Sequence, residues 1–251
     1  MNINIDEYKY KYETHLHSLE SSACGKSSAL DMVKACKEAG YSGCFITNHA
    51  WGGNTSIDRS LPWDEWVKEF SKCYYTAKEW ADENDFSLFF GYEAGYEGTE
   101  FLIYGISPEY LIAHPEFKTA SIKEQYDLVH AGGGLVIQAH PFRDEDYIPV
   151  IRVYSKYIDG METINATHSS HLSKAHNIKE WNDQAIAHAK RHNFPMTAGS
   201  DVHSVELFYG GMHFKRPIHS YEDFKAAILS DEMYLLNDGE MLYDRYGNLL
   251  K

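Results

Sequence analysis

The 251-residue sequence has no run of about 18 apolar residues, the least that a membrane-spanning helix needs. Its start, MNINIDEYKYKYETHLHS, carries no apolar stretch of the kind a secretory signal has. A cytoplasmic protein with no membrane partner is therefore expected. Basic charge is scarce: 23 lysines and arginines stand against 37 aspartates and glutamates, a formal net charge of −14. Such a surface repels phosphate backbones at long range, which argues against a nucleic-acid polymer as partner. A small phosphorylated substrate is still admissible, because bound metal ions reverse the sign of a site locally. Cysteine is sparse as well. Cys24, Cys36, Cys44 and Cys73 form no CxxC pair, and all four are expected as small buried apolar side chains. No repeat, low-complexity tract or glycine-rich dinucleotide loop occurs, since Gly132-Gly133-Gly134 precedes a strand rather than a helix.

What is present is an alternation of short apolar runs with helical patterns. Strands are expected over 10–16, 41–47, 86–92, 101–106, 135–139, 160–165 and 196–199. Helices are expected over 28–39, 62–84, 122–131, 147–154, 179–191 and 221–229, the last capped by Ser220. The aromatic stripe from Trp63 to Trp80 has helical spacing and reads as core or interface. Strands alternating with helices predict an α/β protein with parallel pairing, either a barrel or an open doubly wound sheet. The whole chain, 1–251, reads as one domain, with a C-terminal hairpin appendage over 238–251 turning at Tyr246-Gly247-Asn248.

Ionisable residues recur where these strands end. His15 and His17 close the first; two apart in a strand, they point to one side and can grip one ion together. His49 ends the second strand, Glu93 the third, His140 a later one, and Asp201 with His203 the last. Any one of these alone reads as an ordinary hydrogen-bonded or solvated group, but together they form a pattern. Imidazole and carboxylate suit Zn, Fe or Mn. Seven such ligands exceed what one tetrahedral ion needs, so two or three divalent ions are expected. Glu93 is the expected bridge, and Asp201 a second bridge or a base. Arg143, three residues after His140, is the candidate phosphate clamp, against a surface salt bridge with Asp144 or Glu145. His168, in a loop with His171 and His176, is the candidate phosphate contact or proton donor to the leaving group, and at least two of these three are expected to be exposed and inert. Glu162 and Asn165 end a strand where they can orient the ligand histidines.

His15-Leu16-His17, Asn48-His49, Gly91-Tyr92-Glu93, Ala139-His140-Pro141 and Gly199-Ser200-Asp201-Val202-His203 stand in an order that resembles the polymerase-and-histidinol-phosphatase (PHP) family. The resemblance spans residues 15–203. It implies a distorted (β/α)7, TIM-like barrel with a metal site at the C-terminal ends of the strands. It also implies a trinuclear centre that hydrolyses phosphoesters. On this resemblance His15, His17 and Asp201 hold the first ion, Glu93 bridges the first and second, His140 holds the second, and His49 and His203 hold the third. The sequence departs from the pattern in having Asn48 where the family usually has aspartate. A further His or Asp, often found shortly after HxH, is also missing. Glu20 is favoured there as a ligand of the third ion, with Cys24 the other nearby candidate. Glu100, and less so His114, is a candidate for the second ion.

The activity implied is hydrolysis of phosphate esters on small molecules by a metal-activated hydroxide, with phosphate as product. A metal-dependent amidohydrolase acting on C–N bonds is the alternative enzyme; no strand-end lysine of the kind that bridges its metals occurs mid-chain. A non-catalytic binding domain is the third reading, and only Asn48 speaks for it.

Overall fold

The computed structural model describes residues 3–250. Its centre is one ten-stranded sheet: β1 (Tyr10–Glu13), β2 (Gly43–Ile46), β3 (Ser87–Tyr96), β4 (Thr99–Tyr104), β5 (Leu135–Gln138), β6 (Gly160–Asn165), β7 (Met196–Gly199), β8 (Gly211–Phe214), β9 (Leu235–Asn237) and β10 (Leu242–Asp244). The spatial order is β10-β9-β8-β1-β2-β3-β4-β5-β6-β7. The helices are α1 (Ala29–Glu38), α2 (Trp63–Glu83), α3 (Pro108–Ala113), α4 (Ile122–Ala131), α5 (Glu180–His192) and α6 (Tyr221–Leu229).

The α/β class is as expected, but in place of the distorted (β/α)7, TIM-like barrel the strands form a curled ten-stranded sheet of mixed pairing. Pairing is parallel for β1–β2, β2–β3, β5–β6 and β6–β7, and antiparallel for β3–β4, β4–β5, β1–β8, β8–β9 and β9–β10. The β3–β4 hairpin has a local cause. Glu97 (φ 48) and Gly98 (φ 84) both take left-handed backbone, the geometry of the two-residue turn that suits antiparallel twist. β3 therefore runs on past Glu93 instead of ending there.

The sheet curls until its ends nearly meet. β1 pairs β8 along its length, and the segment after it crosses to the end of β7 through a single parallel bridge, Leu16 to Val202. His17 N donates to Val202 O at 2.9 Å, and Val202 N to His15 O at 3.2 Å. Thr14 Oγ1 adds a bond to Ala198 O at 2.7 Å. The HxH motif therefore sits on the seam where the curled sheet closes.

An aromatic plug fills the interior at the end away from the motif. Phe224 of α6 lies 4.7 Å from Phe45 of β2, 5.4 Å from Tyr104 of β4 and 6.4 Å from Phe214 of β8, ring to ring. Tyr104 Oη donates to Thr14 O at 2.9 Å, so the plug also fixes the backbone entering the motif. The Trp63–Trp80 helix forms, and its apolar side is core: Trp66 is buried, stacked between Trp63 and Phe70.

Residues 147–154 are not helical. Pro149 lacks an N–H and pushes Ile148 toward extended backbone. The side chain of Gln138 then claims the strip, with Nε2 donating to Arg152 O at 2.6 Å and Oε1 accepting Tyr154 N at 3.0 Å. The tail joins the sheet as β9 and β10, and a turn closes from Gly247 N to Asp244 O at 2.9 Å. Among the described residues no helix is long and apolar enough to cross a membrane.

Candidate metal centre

The strand ends converge on one buried cluster. Four overlapping groups of donor atoms lie within 4.8 Å of one another: His15, His17 and Glu93; His15, His140 and Asp201; His49, Glu93 and Glu100; and His17, Cys24, His49 and His203. All of these residues but His15 and His17 line a cavity of about 940 Å³, to which Arg143, Lys26 and Lys174 bring positive charge.

The histidines are oriented before any ion is considered. His15 Nδ1 meets Glu162 Oε1 at 2.8 Å. A carboxylate accepts, so that nitrogen carries the proton and Nε2 keeps its lone pair. His17 Nδ1 lies 3.1 Å from Ser22 Oγ, which itself donates to Asn48 Oδ1 and accepts from His49 N. His203 Nδ1 donates to Asp201 O at 2.8 Å. In each case the outer nitrogen is tied by its proton and the inner nitrogen is presented to the cluster, the arrangement that ligating imidazoles need. The inner nitrogens of His15 and His17 then face each other at 3.0 Å. Two lone pairs at that distance repel unless a cation or a proton lies between them. His49 Nδ1 is buried 2.8 Å from Glu93 Oε2 yet has no hydrogen bond of acceptable geometry.

The carboxylates divide their oxygens in the same sense. Glu93 Oε1 faces His15 and His140 at 3.4 and 3.2 Å, and Oε2 faces His49 and His17 at 2.8 and 3.5 Å. A carboxylate split in this way suits a bridge between two ions. Asp201 Oδ1 lies 3.4 and 3.3 Å from His15 and His17, while Oδ2 accepts from Arg143 Nη2 at 2.5 Å and Asn165 Nδ2 at 3.2 Å. Burial opposes ionisation of Asp201, but the charges of His15 and Arg143 and a bond to His17 outweigh it and hold its carboxyl well below the usual range. Both its oxygens are engaged, which fits a ligand and gives no support to a base. For His15, burial again opposes the charge, and Asp201, Glu162 and Glu93 overcome it, raising its pKa well above the ordinary value. His17 moves the other way, lowered by burial and by the neighbouring His49.

Local backbone serves the site as well. His140 (φ 25) and Asp201 (φ 56) both take left-handed conformations, which cost non-glycine residues of order 1–3 kcal/mol. Glu162 Oε2 holds His140 N at 3.0 Å, so one buried carboxylate positions two candidate ligands.

Several expectations need correction. Glu20 does not reach the cluster: its carboxylate accepts Ala29 N at 3.1 Å and caps the start of α1. Cys24 is in the cluster instead, half-buried on the cavity wall, unlike the buried Cys36, Cys44 and Cys73. Burial would raise its thiol, but hydrogen bonds and charge from His203 and His49 bring its pKa down to about 6. Glu100 is present, 3.7 Å from His49 Nδ1 and 3.6 Å from His140 Nε2. His114 lies elsewhere, against Tyr110 and Glu116.

His168 is buried rather than at the cavity, and its role as proton donor does not fit. Arg143 Nε can only donate, so His168 Nε2 accepts at 3.1 Å, and its one proton sits on Nδ1 facing Asn182 Oδ1 at 3.0 Å. Burial and the Arg143 charge hold its pKa well below the ordinary value. It is a prop for Arg143. His171 is exposed against Glu240, and His176 pairs with Glu145 at 2.6 Å. Arg143 pairs with Asp201 rather than with Asp144 or Glu145, which turns it to the cavity instead of the surface. Asn48 takes no place among the donors; its Oδ1 accepts Ser18 N at 2.6 Å and Ser22 Oγ at 3.0 Å, fixing the loop that carries His17. Ser22 and Asn182 carried no sequence signal, since their contribution is positional.

Comparisons with known proteins agree with this picture. Residues 179–233, which carry α5, β7, β8 and α6, match the family model described as PHP-associated. No curated protein matches the sequence. A Bacteroides vulgatus two-domain protein, described as containing a predicted PHP-like metal-dependent phosphoesterase, is similar in structure: TM-score 0.68, 16% identity, 94% of this chain and 67% of that one. An amidohydrolase from Chromobacterium violaceum, with bound sulfate and no metal, is similar at TM-score 0.53 and 15% identity over 77% and 87% of the two chains. A lesion-specific endonuclease from Pyrococcus furiosus is similar at 0.55 and 14% over 90% and 57%. The chain thus carries a PHP-associated segment over 179–233 and shares its fold with PHP-like proteins.

Proposed function

We propose that this protein is a metal-dependent hydrolase of phosphate esters on small molecules, with two or three divalent ions in the cluster. The observation that carries the reading is the set of three histidines, His15, His17 and His203, each tied at Nδ1 so that Nε2 points at Glu93 or Asp201. His15, His17 and Asp201 would hold one ion and Glu93, Glu100 and His140 another, with His49 and His203 at a third. Bound ions supply Lewis acidity toward a phosphoryl oxygen and make water a competent nucleophile at neutral pH.

The chain's own residues do the rest. Arg143, held by Asp201 and His168, presents a cation beside the cluster, where it binds and orients a phosphate. Glu162 keeps the proton of His15 on Nδ1, and Asp201 O does the same for His203. Lys26 and Lys174 line the cavity and attract an anion into an otherwise acidic protein. The net charge of −14 disfavours a long polynucleotide as substrate.

Hydrolysis of C–N bonds is the second reading, favoured by the likeness to the amidohydrolase. Among the described residues the donor groups include no lysine. Elemental analysis of protein purified without chelator, with assays on phosphomonoesters, phosphodiesters and amides, separates the two. Turnover of a phosphoester that disappears in His140→Ala supports the proposal. A metal-loaded protein that cleaves only amides or lactams refutes it.

A further inference from the structure

Of the four cysteines only Cys24 approaches ionisable groups of the cluster, and the chain places it there deliberately. The turn after His17 closes tightly: Ser22 N bonds Ser18 O and Gly25 N bonds Ser22 O, both at 3.0 Å. A Cβ on Gly25 would lie 2.4 Å from the backbone of Ser18, so only glycine lets the loop fold back this far. Lys26 N then bonds the carbonyl of His203 itself at 2.8 Å, which locks residue 24 beside that imidazole. The carboxylate that might have competed, Glu20, is turned away onto the N-terminus of α1. The sulfur shares its donor group with His17, His49 and His203. Cys24 and His203 belong to that group alone, whereas His17 and His49 are shared with the carboxylate-rich groups.

We infer that Cys24 is a thiolate ligand of one ion, with His203 and His49 beside it, and that this position takes a thiophilic ion such as zinc while the oxygen-rich positions around Glu93, Glu100 and Asp201 admit harder ones. The inference rests on the metal-centre reading proposed above but not on any substrate. Thiolate and imidazole together select zinc over manganese, which prefers oxygen. Three protein ligands also leave a coordination position open for water or a substrate atom. The cluster is thus chemically uneven: one sulfur-marked corner at the cavity wall and a carboxylate-bridged interior.

Cobalt reports the difference, because a Co–thiolate bond gives an intense near-ultraviolet charge-transfer absorption that imidazole and carboxylate ligands do not. Chelator-stripped protein is titrated with Co²⁺ and followed by absorbance and by bound metal per chain. The wild type is expected to develop the band. Cys24→Ser is expected to lose it together with about one equivalent of cobalt, the occupancy of one site, and to keep the rest. Cys24→His is expected to recover the lost equivalent without the band. Wild-type protein that binds its cobalt with no charge-transfer band overturns the inference and leaves the metal-centre reading standing, and this arm needs no variant to fold. A band that persists in Cys24→Ser also overturns it. Protein that binds no cobalt at all overturns both.

Discussion

Glu162→Gln is the most searching single test of how the site is held. The change removes one charge and almost no volume from a side chain only 1% exposed. Glu162 accepts at both oxygens: from His15 Nδ1 at Oε1, and from His140 N and Asn165 Nδ2 at Oε2. Glutamine can keep only one of these roles. If its oxygen stays with His15, its amide N–H faces two other donors, an unsatisfied buried contact worth roughly 1–3 kcal/mol. If the amide is turned round, it donates to His15 Nδ1. The histidine proton then moves to Nε2, the atom that would ligate. Either way one candidate ligand is compromised. Loss of such an outer partner typically weakens metal affinity by about 10–100-fold, which is ~1.4–2.8 kcal/mol. Competition against a chelator of known affinity measures this on the folded variant, with circular dichroism to verify the fold. Wild-type affinity and stoichiometry in Glu162→Gln would refute the argument that this carboxylate sets the His15 tautomer.

Four further outcomes are expected. Chelation should lower the melting temperature, since ions held at about 100 times their dissociation constant add ~2.7 kcal/mol per site; a scan unchanged by chelator and by added ions would refute that. Arg143→Met leaves the buried Asp201 carboxylate without its cation, so stripped protein should lose about 3 kcal/mol in urea unfolding and recover much of it when ions are added. Trp66→Ala empties the space between Trp63 and Phe70 and should cost about 3–5 kcal/mol, read in the same assay, with no effect on metal content. His213 on β8 is held neutral by burial and by Lys11, its pKa lowered to about 4. Its contribution is therefore complete above the unfolded value of roughly 6.5 and is lost as pH falls toward about 4, about 3 kcal/mol in all. His213→Gln should make the acid limb of a stability–pH curve shallower by that amount.

Elements with punctuation at both ends were legible in the sequence. The spans 122–131, 160–165, 196–199 and 221–229 match α4, β6, β7 and α6 residue for residue. Ser121 and Ser220 cap the two helices, and glycine or a polar residue stops each of the four. The seven strand-end candidates, His15, His17, His49, Glu93, His140, Asp201 and His203, were also legible, because each lies within a few residues of the end of a strand; the cluster gathers all of them. The misplaced features depend on contacts that no local pattern records. β8, Gly211–Phe214, is short and is a strand because β1 and β9 flank it. The antiparallel β3–β4 pairing hangs on Glu97-Gly98, a two-residue turn inside a strand-rich stretch. The choice of Cys24 over Glu20 was decided by the way the 18–25 loop closes, and spacing alone does not encode that. His168 looked like a free loop histidine because nothing nearby in sequence reveals Asn182 on one side of it and Arg143 on the other.

The left-handed backbones of His140 and Asp201 carry a consequence for how this chain can change. Glycine at either position would relieve local strain while deleting a donor of the cluster. Selection for robustness and selection for chemistry therefore pull these two codons in opposite directions. A copy of this gene freed from the proposed reaction would gain stability at the same two sites where it had lost donors of the cluster. Glycine two residues past the end of β5 or β7 would then mark a descendant that has kept the architecture and given up a donor of the cluster.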